Sequence, residues 1–214
     1  MPTGFDTPLD ASRHVEAIQA GRFDFVIRYY RSPHSKWPTL AFSEAKILSS
    51  IGLSIVTIWE YQSDDVRSFT RVNGVDEATT AYRQAHALGQ PPGSAIYFAV
   101  DFDPSQKQVD GEVTAYFQGV AAGFSAAGDG KPAYKVGVYG SGRTCRTLLE
   151  AGLADFTWLA LSARWGESKI FKGWSIQQKK GLETLPFDND ADNAVASYGA
   201  FALPNALTKG MLIA

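Results

Sequence analysis

The sequence predicts an α/β fold, a compact (β/α)8 TIM-type barrel occupying residues 1–214 as a single domain. Three observations carry that expectation. Strand-like and helix-like segments alternate through most of the chain, a pattern that calls for parallel strands joined by crossover helices. About eight strand candidates are present, which fits a closed barrel better than a six-stranded open sheet, and no GxGxxG or GxxxxGK[ST] follows the first of them. The stretch 95–103, AIYFAVDFD, separates with period two. Ile96, Phe98, Val100 and Phe102 form an apolar face; Ala95, Tyr97, Ala99, Asp101 and Asp103 form a small face that ends in two acids. These carboxylates lie roughly 6–7 Å apart along a strand. Pro104 and the helix-capping Ser105 follow at once, so the acids sit at the carboxyl end of a buried strand, where barrel active sites are built.

Taken in order, residues 4–7 (GFDT) read as a first strand ending in an acid. Residues 11–20 read as a helix started near Ser12 and stopped by Gly21. DFVIRYY (24–30) is the second strand, RSPHSKWP a loop, and 42–50 a helix with Ser43 and Gly52 as its signals. LSIVTIWEY (53–61) is the third strand, and 74–88 a helix stopped by Gly89 and Pro91-Pro92. After the fourth strand a long amphipathic helix is expected over 105–127, then strands at 135–141 and 156–162 separated by a helix at 142–152. WSIQQ (174–178) and 190–195 are the last two strands. Little chain separates the final strands, so the helices of the last third are expected to be short or missing. The tail after Tyr198 is expected to pack on the outside of the barrel or close its bottom.

The composition is that of an ordinary globular protein: 45% hydrophobic, 20% charged, formal net charge −2. Without clustered Lys and Arg, nucleic acid is not an expected partner. No apolar run reaches the roughly 20 residues of a membrane span. The opening MPTGFDTPLD has neither a basic nor an apolar region of a signal peptide, so cytoplasmic synthesis with signal-independent or lysis-dependent release is expected. The single Cys145 reads as a buried helical residue, and the three histidines have no metal-ligand spacing. No metal, no cofactor and a monomeric state are expected.

Several strands end in polar groups: Asp6, Glu60, Asp101 and Asp103, with Arg28, Tyr30, Tyr139, Gln177 and Asp190 or Asp192 on others. In a barrel these converge on one rim. Carboxylates at that density repel one another and raise the pKa of at least one, which is what a glycosidase needs in its proton donor. Asp6, Asp101, Asp103 and Glu60 are therefore the catalytic candidates. Arg28, Tyr30, Tyr139, Gln177, Asp190 and Asp192 are the candidates for substrate binding, and Tyr29, Trp37, Trp59, Tyr61 and Trp158 offer further flat faces for sugar rings. Structural alternatives exist for each. Asp6 can cap a turn, Asp101 and Asp103 can cap the next helix, and Glu60 can pair with Arg28 or Lys46.

GFDT, FVIRYY, AIYFAVDFD, KVGVYGS, TWLALSA and WSIQQ before DNDADNAV, in that order, resemble the bacterial glycoside-hydrolase-like domains catalogued as domain of unknown function 1906. These are similar in turn to the family-25 lysozymes, barrel muramidases that cleave peptidoglycan glycan. The resemblance covers residues 4 to about 196. It implies that the lysozyme first-strand acid falls on Asp6, the acid-x-acid pair on Asp101 and Asp103, and the last-strand acid on Asp190 or Asp192. The second member of that pair is a glutamate in the lysozymes, the proton donor; here it is Asp103, one methylene shorter. The resemblance thus implies a glycosidase acting on cell-wall glycan. Asp103 or Glu60 would be the acid, and Asp101 the nucleophile or the stabiliser of a cyclic intermediate. The alternatives are a binding barrel that has lost turnover and a barrel phosphodiesterase whose acids hold a divalent cation.

Overall fold

The computed structural model describes residues 1–204. Eight strands close a barrel in chain order: β1 (Thr3–Asp6), β2 (Phe25–Tyr30), β3 (Ser54–Trp59), β4 (Ala95–Ala99), β5 (Lys135–Gly140), β6 (Phe156–Leu159), β7 (Ile176–Lys179) and β8 (Asp190–Ala194). β1 to β7 pair in parallel. β8 runs antiparallel to both β7 and β1, which corrects the expected all-parallel ring. The cause is the connection: residues 180–189 are too few for a crossover, so the chain turns straight back. Helices α1 (Val15–Gly21), α2 (Phe42–Ser50), α3 (Arg71–Leu88), a single turn α4 (Gln106–Gln108), α5 (Thr114–Ala127) and α6 (Gly142–Glu150) lie in the first five connections. No helix follows β6 or β7, so the strand–helix alternation is incomplete, as the short final connections foretell.

Helix ends follow local capping. A 3-10 turn at Ala11–His14 precedes α1 and is capped by Asp10, whose carboxylate accepts from the Ser12 backbone N–H at 3.0 Å. The expected stop at Gly21 moves one residue on, since Arg22 takes the left-handed conformation at φ 54. α3 begins three residues before the expected Gly74 because Thr70 Oγ1 caps the Asn73 N–H. Gly89, at φ 78, ends it as expected. The single helix expected over 105–127 is broken: Ser105 and Gln108 form a capping box on α4, then Val109–Val113 makes a π-helical turn before α5. Thr114 Oγ1 donates to the Val109 carbonyl five residues back, holding the wider turn.

The period-two reading of β4 holds. Ile96, Phe98 and Val100 belong to the layer between strands and helices, where Phe98 meets Phe124 and Phe117 of α5 at ring distances of 5.8 and 6.4 Å. Ala95, Tyr97 and Ala99 point into the barrel beside Phe25, Ile27, Val56, Ile58, Trp158 and Ile176. Interior volume is matched across strands: the Tyr97 ring occupies the space a Cβ on Gly137 of β5 would take. The amino-terminal end of the barrel is closed by the tail. The Tyr97 hydroxyl donates to the Tyr198 carbonyl at 2.9 Å, Tyr198 packs on Phe25, and Phe201 bridges Ile55. The final MLIA lies outside the described residues.

Candidate active site

At the carboxyl end of the parallel strands a cleft of about 920 Å³ opens. Its floor follows from the strand faces. On β1 and β8 the inward positions include Asp6 and Asp190, which are register partners. Beyond β3 and β4 the same inward alternation that places Ile58 and Ala99 brings Glu60 and Asp101 into the cleft. Tyr139 and Trp158 line it from β5 and β6, their rings 4.7 Å apart and steeply inclined. The structure therefore gathers Asp6, Glu60, Asp101, Tyr139 and Asp190 at one mouth.

Asp6 is 5% exposed and accepts two hydrogen bonds. The Tyr29 hydroxyl donates to Oδ1 at 3.0 Å and Gln178 Nε2 donates to Oδ2 at 3.1 Å. Asp192 is buried one pleat deeper, with one oxygen accepting from Trp158 Nε1 at 2.9 Å and the other without a hydrogen-bond partner among the described residues. Burial, then the nearby Asp6, push the Asp192 carboxyl well above the usual range. Burial first, offset in part by Gln178 and then reinforced by Asp190, moves Asp6 up to about 7.

Asp101 is half-buried, and its carboxylate has no hydrogen-bond partner among the described residues; only its backbone N–H is tied, to Ser63 O at 2.8 Å. Burial, followed by repulsion from Glu60 and Asp64, raises it to about 6. Glu60 is held by Arg31, whose Nη1 donates to Oε2 at 2.7 Å and to the Glu60 carbonyl at 3.2 Å. That replaces the expected partners Arg28 and Lys46.

Five expected site residues lie elsewhere. Arg28 is fully buried behind β2, forked onto Glu44 of α2 and donating to the Thr7 carbonyl at 2.7 Å. Tyr30, on the same outer face, donates to Gln90 Oε1 at 2.7 Å. Both faces of β2 are buried, so its apolar pattern does not reveal which one points inward. On β7 the inward residue is Gln178, and Gln177 faces out to Lys179. A one-residue slip exchanges the faces of a strand, and two adjacent glutamines hide it. Asp103 lies past the end of β4, exposed, accepting from the Gly166 N–H at 2.8 Å with Arg143 at 3.7 Å; it anchors a loop outside the cleft. Asp192 lies beneath the cleft, as described, and so reaches ligand only through Asp6.

Further residues complete the walls. Arg31, His34 and Lys36 come from the β2–α2 loop, Asp64 from the segment after β3, Trp165 from the β6–β7 loop, and Asp188 and Asn189 from the β7–β8 turn. Of the candidate stacking rings, Tyr29, Trp37, Tyr61, Tyr139 and Trp158 line the cleft, whereas Trp59 turns outward and donates to Glu77 at 2.7 Å. Cys145 is buried, which pushes its thiol up and leaves it inert. Among the described residues no helix is long and apolar enough to cross a membrane.

Comparison with known proteins places this site in context. YbfG of Bacillus subtilis is 32% identical over 119 residues, which is 55% of this chain and 16% of YbfG. A Mycobacterium tuberculosis protein named "Putative peptidoglycan hydrolase Rv2525c" is 27% identical over 150 residues, 67% of this chain and 58% of that protein. The chain thus spans well under two thirds of either relative. The crystal structure of Rv2525c, described as Tat-secreted, superimposes with a TM-score of 0.76 at 22% identity, covering 94% of this chain and 99% of the other. A muramidase from Trichobolus zukalii gives 0.57 at 11% identity, covering 92% and 95%. At these identities the likeness is one of fold. The family profile described as "Rv2525c-like, glycoside hydrolase-like domain" matches residues 16–205, and the chain belongs to that family.

Proposed function

We propose that this protein is a glycosidase acting on bacterial cell-wall glycan, with Asp101 as its proton donor. The observation that carries the proposal is Asp101 itself: inward-facing, in a cleft large enough for a sugar chain, its carboxylate without a hydrogen-bond partner among the described residues, and raised to about 6. A carboxyl group in that state is protonated for a useful fraction of the time near neutral pH and free to give its proton to a leaving glycosidic oxygen. This role replaces the one expected of Asp103, whose side chain is committed to the Gly166 loop.

Glu60, fixed by Arg31, supplies the second carboxylate, facing the cationic centre that develops as the bond breaks or activating water beside it. Asp6 lies at the floor. Gln178 and Tyr29 hold it in one orientation, where its ionised form adds negative potential beneath the reacting sugar. Trp37, Tyr61 and Trp165 offer apolar faces along the walls for neighbouring rings. The family description, the name of Rv2525c and the muramidase fold support glycan as the substrate class. Rv2525c is described as Tat-secreted, and we place the substrate of this chain outside the cytoplasm as well.

A second reading, a cleft that binds glycan without cutting it, draws on Asp103 lying outside the cleft. Incubation with purified peptidoglycan followed by mass spectrometry separates the two. New reducing ends on the glycan establish the glycosidase. Bound but intact strands establish the binding barrel. Released peptides with intact glycan contradict both.

A further inference from the structure

The β6–β7 connection carries no helix, and irregular connections of this kind are mobile by default. Here three successive residues, 166–168, are each bonded to the start of α6 or to Asp103. The Gly166 N–H donates to Asp103 Oδ1 at 2.8 Å, and its carbonyl accepts from the Arg143 N–H at 2.8 Å. Glu167 accepts a fork from Arg146, Nε at 2.7 Å and Nη2 at 2.8 Å. Ser168 Oγ accepts from the Gly142 N–H at 3.1 Å. Arg143 Nη1 donates to the Pro104 carbonyl at 2.6 Å, which joins the Asp103 segment to the same helix. A Cβ on Gly142 would come within 2.5 Å of the Glu167 carbonyl oxygen, and one on Gly166 within 2.4 Å of the Arg143 guanidinium, so loop and helix meet where only glycine fits. Trp165 directly precedes the clamped residues. Its N–H donates to the Ser162 carbonyl at 3.2 Å, and its carbonyl accepts from the Ser168 N–H at 3.1 Å. It is half-buried and lines the cleft with Leu161 and Ser162 of the same loop, whereas Asp103, Arg143, Arg146 and Glu167 do not line it.

From this arrangement we infer that Arg146, Glu167 and Asp103 are positioning residues, which hold Trp165 as a fixed platform for one sugar ring of the glycan. The clamp touches neither substrate nor reacting atoms. It acts by ordering the loop before substrate arrives, so that binding does not carry the cost of immobilising it. The platform itself is an apolar face against the C–H face of a sugar. Asp103 and Arg146 thereby gain a part in substrate binding from positions outside the cleft, through one aromatic residue. The inference rests on the glycan reading and adds to it the residues that fix one wall of the cleft.

The test has a ligand-free half and a binding half, both on the full chain. Fluorotryptophan labelling gives fluorine NMR lines for the five tryptophans, with the Trp165 line assigned by its loss in Trp165→Phe. Arg146→Ala, a change at a half-exposed side chain, should shift or broaden the Trp165 line and leave those of Trp59 and Trp158 in place; Glu167→Ala, which empties the other end of the fork, should do the same. Affinity for peptidoglycan glycan strands is then measured by calorimetry in the Asp101→Asn background, which keeps the strands intact. Arg146→Ala should weaken binding about three- to tenfold, and Trp165→Ala about tenfold or more. The double variant should be no weaker than Trp165→Ala to within about twofold, because the clamp acts only through that ring. With Asp101 intact, Arg146→Ala should raise KM and leave kcat within about threefold. A Trp165 line unmoved in both clamp variants, or losses that add in the double variant, overturns the inference and leaves the glycosidase reading standing. Coupled losses of binding in a chain that never cuts glycan remove the glycosidase reading alone. Strands that do not bind at all overturn both.

Discussion

Gln178 Nε2 donates to Asp6 Oδ2 at 3.1 Å, and nothing in that amide is free to turn. Its second N–H reaches Asp190 Oδ2 at 3.2 Å. Its oxygen accepts from the Tyr139 hydroxyl at 3.0 Å and from the Leu161 N–H at 3.1 Å. Two donors on the oxygen force the nitrogen toward the acids, so one neutral side chain spaces two carboxylates that would otherwise repel.

Gln178→Ala removes that spacer. The turnover number should fall by about tenfold or more while KM changes less than about threefold, because the group orients charge rather than gripping substrate. Its hydrogen bond also holds Asp6 down, so carboxyl NMR titration should find Asp6 moved further above its present value of about 7. An unchanged Asp6 titration contradicts the bridge.

Stability should decline as pH rises through the range of these acids. Asp6 lies at about 7 and Asp101 at about 6 against 3.8 unfolded, so the folded state holds more protons than the unfolded one between those values. Their contribution is complete below pH 3.8 and lost as pH rises through 6 to 7. Urea unfolding at about pH 5 and about pH 8 should show the higher midpoint at the lower pH, with Asp6→Asn flattening the difference by roughly 1–3 kcal/mol. A pH-independent midpoint in the wild type contradicts the buried Asp6–Asp192 pair.

Arg28 and Glu44 should matter for folding and not for substrate. Their pair is 0% and 2% exposed on the helix side of β2. Glu44→Gln leaves a buried guanidinium uncompensated and should cost about 3–5 kcal/mol. Below its melting transition the variant should keep the wild-type KM. A raised KM in folded protein would return Arg28 to the substrate.

Asp103→Asn weakens a loop tether and little else, since its carboxylate meets Gly166 and Arg143 at the surface. Turnover should stay within about threefold of wild type, the range of ordinary surface changes. A loss matching that of Asp101→Asn gives the proton to Asp103 instead.

The sequence was most informative where one face of a strand differed from the other. AIYFAVDFD alternates bulky and small, so its inward face, and Asp101 on it, could be named from residue types alone. FVIRYY offers no such contrast because both its faces are buried, and Arg28 and Tyr30 were accordingly assigned to the wrong side. Gln177 and Gln178 are chemically identical neighbours, so no pattern could choose between them. Asp103 misled for another reason: β4 ends at Ala99, and alternation no longer governs a residue four positions beyond. The antiparallel β8 was implicit in its short connection, while Lys36, Trp165 and Asn189 arrive on loops that carry no periodic signal at all.

The most direct test compares wild type and Asp101→Asn on the same purified peptidoglycan, with new reducing ends counted by mass spectrometry. Wild type should generate them, and the variant, folded to the same melting temperature, should do so about 10²–10⁴-fold more slowly, the range general acid catalysis supplies. Undiminished cleavage by Asp101→Asn, or no cleavage by the wild type, contradicts the assignment of this cleft as a glycosidase with Asp101 as its acid.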